Sequence, residues 1–108
     1  MKPARRRLQA RNDILDTARY YREAAGAAVA RRFAQAVKDA VAQLEANPAI
    51  GSPRIGHDID VAELRIWRLS GFPAALWYVE RADHVDIVRL VGERQDPLIV
   101  NVPTAAEW

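Results

Sequence analysis

The sequence predicts an α+β domain: a short N-terminal strand, then an α-helical hairpin packed on a three- to four-stranded antiparallel sheet. Three observations predict it. Between Glu63 and Pro97, three β-rich runs are separated by two short polar or Gly/Pro connections. Upstream, two apolar stripes of helical period meet across Gly26 with almost no linker. At 108 residues the chain has room for one core, so the stripes and the sheet must bury each other.

In chain order, residues 3–9 are expected to form the short first strand, whose arginines discourage edge-to-edge pairing. Asn12 or Asp13 then offers a side-chain oxygen as a helix cap, with Asp13 and Asp16 at the positive end of the helix. Ile14, Ala18, Tyr21 and Ala25 form the first stripe, and Gly26 ends that helix in a left-handed conformation. Val29, Phe33, Val37, Ala40 and Leu44 form the second stripe, widened by Val41 and stopped by Asn47-Pro48. The hairpin thus occupies about residues 12–46, and residues 47–62, rich in Pro and Gly, form a crossing loop.

The meander occupies residues 63–97. Its strands are Leu64 to Leu69, Ala74 to Glu80 and Val85 to Val91, joined by Ser70-Gly71-Phe72-Pro73 and Arg81-Ala82-Asp83-His84. Strand alternation places Leu64, Ile66 and Arg68 on one face of the first run and Val85, Ile87, Arg89 and Val91 on one face of the last. An arginine therefore interrupts an apolar row twice. These arginines either pair with Glu63, Glu80 or Asp86, or form the basic points of an apolar groove that accepts an acidic amphipathic segment. Trp67 and Trp77 belong either to the core or to that groove. Residues 98–108 are expected to add a strand or to serve as an apolar tail.

Composition narrows the function classes. Half the residues are hydrophobic and 28% are charged, the balance of a soluble globular domain. With no cysteine, neither a disulfide framework nor a thiolate metal site can form. His57 and His84 lack a partner at helical ligand spacing, and the five glycines stand singly, so neither a metal signature nor a phosphate-cradling loop is present. No cofactor is expected. MKPARRR is not followed by the apolar core of a signal peptide, and no apolar run reaches membrane-spanning length. A cytoplasmic protein without membrane contact is the expectation.

The order of these elements and the wording of the sheet carry a resemblance. A helical hairpin ending near NPAIGSPRIG, then ELRIWRLSGFPAALWYVE and VDIVRLVGERQDP, resembles the ParE branch of the ParE/RelE toxin superfamily, also called plasmid stabilisation proteins. Its most specific pieces are the segment Leu64 to Pro73, the Tyr78 that follows, and Arg89 to Pro97. The resemblance implies the toxin of a type II toxin–antitoxin pair with the RelE/ParE-like fold, neutralised by a ParD-like antitoxin. It implies inhibition of DNA gyrase by binding, with neither catalysis nor sequence-specific DNA recognition by this chain. The groove on the sheet then becomes the antitoxin surface, carried by Arg65, Trp67, Arg68, Arg89 and Arg94.

RelE-like relatives instead cut mRNA on the ribosome, which needs a cation for phosphorane charge and a proton-transfer group. Arg65, Arg68, Arg89 and Arg94 supply cations. Ribonuclease members place a His, Tyr or Lys near the end of the last strand, whereas this chain has Gly92-Glu93-Arg94-Gln95-Asp96; Tyr78 and His84 are the remaining candidates. Many ParE-like sequences carry a histidine where this chain has Gly92. Ribosome-dependent mRNA cleavage and a non-toxic member that only binds antitoxin are therefore the alternatives.

Overall fold

A strand-to-helix handover sets the N-terminal half. The structure, a computed structural model, describes residues 1–93. Strand β1 is Ala4–Arg6 and helix α1 is Leu8–Ala25. The expected start of α1 at Asn12 or Asp13 is corrected to Leu8, with Arg7 at the N-cap and no side-chain cap. The reason is local: the Arg7 N–H donates to the Ile87 carbonyl (2.9 Å) while its own carbonyl accepts the Arg11 N–H (3.0 Å). Arg7 thus ends the pairing with β4 and opens the helix in the same residue, so the helix follows the strand without a gap. Asp13, inside the helix, is released for another use.

Helix α2 is Ala27–Ala46. Gly26 alone joins the helices: its N–H donates to Arg22 O and its carbonyl accepts the Ala30 N–H. It does so at φ +95°, ψ 170°, a backbone region open to glycine and costly for L side chains. Phe33, Val37, Ala40 and Leu44 are buried, as their spacing predicts, whereas Ala10 is the single fully buried residue of α1.

The crossing segment is more structured than a loop. A 3-10 turn covers Pro48–Ile50, and a short helix, α3, covers Arg54–Asp58. Gly56 is buried there, and the close backbone approach requires glycine, since an added Cβ would lie 2.6 Å from the carbonyl oxygens of both Val61 and Leu64. Strands β2 (Leu64–Arg68), β3 (Ala74–Glu80) and β4 (Val85–Gly92) follow, each within a residue of expectation. Leu69 N–H to Ala74 O (2.9 Å) and Arg81 N–H to His84 O (2.8 Å) close the two turns.

The sheet order is β1-β4-β3-β2, and β1 runs parallel to β4. The sheet is therefore mixed, which corrects the antiparallel expectation. The two hairpins are antiparallel by necessity, but β1 reaches β4 from the far end of the chain, so no turn dictates its direction. A second correction concerns the proposed row Val85, Ile87, Arg89, Val91. A β-bulge shifts the register so that Tyr78 faces Ile87 while Trp77 faces Arg89, leaving Val88 as the extra residue. Val85, Ile87 and Leu90 consequently join the hairpin-side core, and Val88 and Val91 join the opposite face.

The hairpin-side core gathers Phe33, Val37 and Leu44 with Leu76, Tyr78 and Ile87. The opposite face, built on Ile66, Trp77 and Val79, packs Ile55, Ile59 and Val61 from α3 and the turn after it. Trp77 is 2% exposed and is a core residue. The second face is thus partly roofed by α3 and is not an open plane left for a partner.

Candidate functional site

Strand β2 is one edge of the sheet among the described residues, and three of the five expected site residues lie on it. That edge is only partly occupied. Ser52 exchanges both main-chain bonds with Ile66 (3.0 Å each), so the backbone groups of Ile66 point away from β3. Antiparallel alternation then turns the backbone of Arg68 outward as well, beyond Ser52. Beside this stretch lies an apolar depression bordered by Ile50, Ile55, Ile66, Trp67 and Arg68. A second depression continues over Ala75, Trp77 and Val91 to Glu93.

The side chains divide by what they touch. Arg65 donates to the carbonyls of Gly51 (2.7 Å) and Ala49 (3.3 Å), holding the crossing segment against β2. Trp67 packs against the hairpin-side core, and its Nε1–H donates to Gln43 Oε1 of α2 at 2.9 Å. Arg68 is largely exposed and pairs with the Glu93 carboxylate, the two marking the rim of the depression. Arg94 lies outside the described residues, as do the end of the expected meander and the 98–108 tail.

Arg89 is not gathered into this groove. Its Nε and Nη2 donate to the Asp13 carboxylate of α1 at 2.7 and 3.1 Å, with both side chains about 15% exposed or less. Asp13 Oδ2 also accepts the Leu90 N–H at 3.1 Å. Beyond the end of β1, then, a helical carboxylate takes up a main-chain donor of β4. A hydrophobic row with one arginine carries no mark of this bond; an aspartate one turn inside a helix, at the height of that arginine, is the signal.

A second carboxylate is also internal. Asp86, in the middle of an apolar strand, accepts from Arg7 (3.1 and 3.0 Å) and from Arg81 (3.4 and 3.2 Å). Burial pushes its carboxyl upward, but the hydrogen bonds and charge of the two guanidinium groups outweigh that and hold it below the ordinary aspartate value. A lone Asp in a run of valines and isoleucines required partners of this kind.

The two proton-transfer candidates sit apart from Arg68. Tyr78 is fully buried; its hydroxyl donates to Pro48 O (2.7 Å) and accepts the Gly51 N–H (2.8 Å). Burial, as the leading cause, raises its pKa above that of a free phenol. His84 stands in the β3–β4 turn with Nδ1 2.7 Å from Asp83 Oδ1, at the end of β4 remote from Gly92. Among the described residues no group of three or more His, Cys, Asp or Glu is placed to hold a metal ion, and no helix is long and apolar enough to cross a membrane.

Comparison with known proteins adds to this geometry. The family model described as "ParE toxin of type II toxin-antitoxin system, parDE" matches residues 5–97. A solved structure from P. aeruginosa, described as "Chromosomal ParDE TA system", is similar with a TM-score of 0.72 at 20% identity. The match covers 85% of this chain and 96% of that one, and it speaks for the fold. No curated protein sequence matches the chain.

Proposed function

The chain belongs to the ParE toxin family of type II toxin–antitoxin systems, and from that premise we propose that it acts in the cytoplasm by binding DNA gyrase and is held inactive by a cognate ParD-like antitoxin. The observation that carries the binding mode is the state of the proton-transfer candidates. A ribonuclease needs an acid or base within hydrogen-bond reach of the scissile phosphate, beside the cation that stabilises it. Tyr78 is buried and bonded on both sides of its oxygen, and its pKa moves away from the neutral range. His84 lies at the other end of β4 from the Arg68–Glu93 pair. These placements favour recognition over bond cleavage.

For the antitoxin, the β2-edge depression with Trp67 and Arg68 is the proposed contact. Ile50, Ile55 and Ile66 supply the apolar floor, and the outward backbone of Arg68 offers main-chain hydrogen bonds to an added segment. Arg68→Glu is expected to weaken antitoxin binding by more than the ~1 kcal/mol of an exposed pair.

Expression of the protein alone, with supercoiling by gyrase and mRNA integrity followed together, tests the mechanism. Loss of supercoiling with intact mRNA is the expected result. Ribosome-dependent cuts with normal supercoiling would replace this reading with the RelE-type reaction, and absence of any growth defect would indicate a member that only binds antitoxin.

A further inference from the structure

Charge is divided unevenly along the chain. Residues 1–46 carry ten Lys or Arg against five Asp or Glu, whereas the remainder carries six against nine. The fold widens the division, because the carboxylates of the first part are mostly engaged. Asp13 is taken by Arg89 and Leu90, Glu45 by the Ala4 N–H and Asp39 by Gln35, while Asp16 faces Arg19. Glu23, the fifth, stands about 100° round α1 from Arg22. Among the cations, Lys2 pairs with Glu80 and Arg7 with Asp86. Arg5 and Arg6 on β1, Arg11 and Arg22 on α1, and Arg31 and Lys38 on α2 are all exposed, and none of their side chains makes a hydrogen bond or ion pair among the described residues.

These cations are not scattered. Arg11, Leu15, Ala18 and Arg22 recur at i, i+4, i+7 and i+11, one stripe of α1, and Arg31, Ala34 and Lys38 recur at i, i+3 and i+7 on α2. Near the Gly26 turn Tyr21 packs on Phe33, with ring centroids 5.4 Å apart; toward the other end Ile14 and Leu15 lie beside Val41, three residues beyond Lys38. The two stripes therefore flank one seam between the helices. Arg22 and Arg31 stand at its closed end, Lys38 midway, and Arg11 toward the open end, where Arg5 and Arg6 of β1 join it. Arg11 and Arg22 are about 16 Å apart along the helix axis, and packed helix axes lie roughly 8–10 Å apart.

We propose that this two-rowed basic face holds duplex DNA without regard to sequence, through the phosphates of both strands. The contact goes beyond the proposed binding of gyrase and does not depend on it. A duplex offers a phosphate every ~3.4 Å along each strand, so the α1 row spans about five of them. Cations on two neighbouring helices meet two strands across a groove. A single acidic peptide segment carries its carboxylates along one line and leaves one row unmatched. Single-stranded nucleic acid needs rings to stack on, and the seam has only Leu15, Ala18 and Ala34 between its cations. The exposed Tyr20 lies half a turn round α1 from Arg11. Guanidinium contacts to phosphate fix position and read no bases, hence the indifference to sequence.

The test is fluorescence anisotropy of a labelled random-sequence DNA duplex titrated with the full-length protein at several KCl concentrations. Wild type is compared with the double variant Arg11→Glu/Arg22→Glu and with Arg54→Glu, an equally exposed arginine on α3 over the opposite face of the sheet. Melting temperatures are recorded, and all three positions are exposed, so they are expected to be unchanged. Wild type is expected to bind with a Kd of about 10⁻⁴–10⁻⁶ M near physiological salt, and log affinity should fall against log salt with a slope of about −4, the value for roughly four to five neutralised phosphates. The double variant should bind at least tenfold more weakly with a slope shallower by about 2, while Arg54→Glu stays within about twofold of wild type. Absence of salt-dependent binding by wild type, wild-type affinity in the double variant, or an equal loss in Arg54→Glu would each overturn the proposal. Equal affinity for polyglutamate, or preference for phosphatidylserine vesicles over the duplex, would overturn it as well by giving the face to another anion. Gyrase takes no part in the titration, so failure here leaves the gyrase reading standing.

Discussion

Removing the Asp13 carboxylate tests how the hairpin is locked to the sheet. In Asp13→Ala the Arg89 guanidinium loses an ionic partner at 2.7 and 3.1 Å, and the Leu90 N–H loses its acceptor at 3.1 Å. Hydrogen bonds to charged groups contribute roughly 1.5–3 kcal/mol each, and deleting one member of a buried ion pair costs about 3–5 kcal/mol. This pair is about 15% exposed, so water screens part of the interaction and ~3 kcal/mol is the expected loss. For a domain of this size each kcal/mol moves the melting temperature by roughly 4–8 °C, giving a fall of about 12–24 °C. Asp13→Asn keeps an acceptor for Leu90 and should cost about half as much. Urea or thermal denaturation of the isolated protein, with Arg89→Ala and the double variant completing a cycle, reads both numbers. A loss below ~1 kcal/mol for Asp13→Ala, or strict additivity in the cycle, would refute the lock.

Three further outcomes are expected. Because Asp86 titrates below its unfolded value, its contribution is complete above about pH 4 and is lost as pH falls through the folded pKa; pH-dependent melting should show this acid loss in wild type and a flatter profile in Asp86→Asn. The Tyr78 pKa is raised, so its contribution is complete below about pH 10 and is lost at higher pH, an alkaline transition that Tyr78→Phe should remove at a cost of roughly 1–3 kcal/mol. Gly51→Ala should cost at least as much, since its Cβ would lie 2.4 Å from the Tyr78 hydroxyl and 2.7 Å from the ring, and a denaturation curve unchanged from wild type would contradict the geometry.

What the sequence revealed follows the range of the interactions. The two helical stripes and both tight turns are written within a few neighbouring residues, and they appear where the pattern puts them except that Ala25, at the end of the first stripe, is exposed. The direction of β1 depends on a partner some eighty positions away, so no local signal records it. The bulge at Val88 is a single extra residue in a run of aliphatics; it leaves composition untouched but reverses which side chains face the hairpin beyond it. Arg89 left the expected groove for a different reason: the Asp13 carboxylate of α1, far away in the sequence, takes its guanidinium. Five residues of α3 are too few to establish a helical period, yet they place Ile55 over the second face. The toxin family was legible in the wording of Leu64 to Pro73 and of Arg89 to Pro97, both of which overlap the matched region.

The arginines sort the surface in a way their number does not. Arg7 and Arg81 are engaged by Asp86, Arg89 by Asp13, and Arg65 by two loop carbonyls. Substituting any of these would perturb the fold before it reported on a partner. Arg5 and Arg6 on β1 and Arg68 on β2 are exposed instead, at the two edges of the described sheet, as are Arg11, Arg19, Arg22, Arg31 and Arg32 on the helical hairpin and Arg54 on α3, so substitutions among these report on a partner without first disturbing the fold.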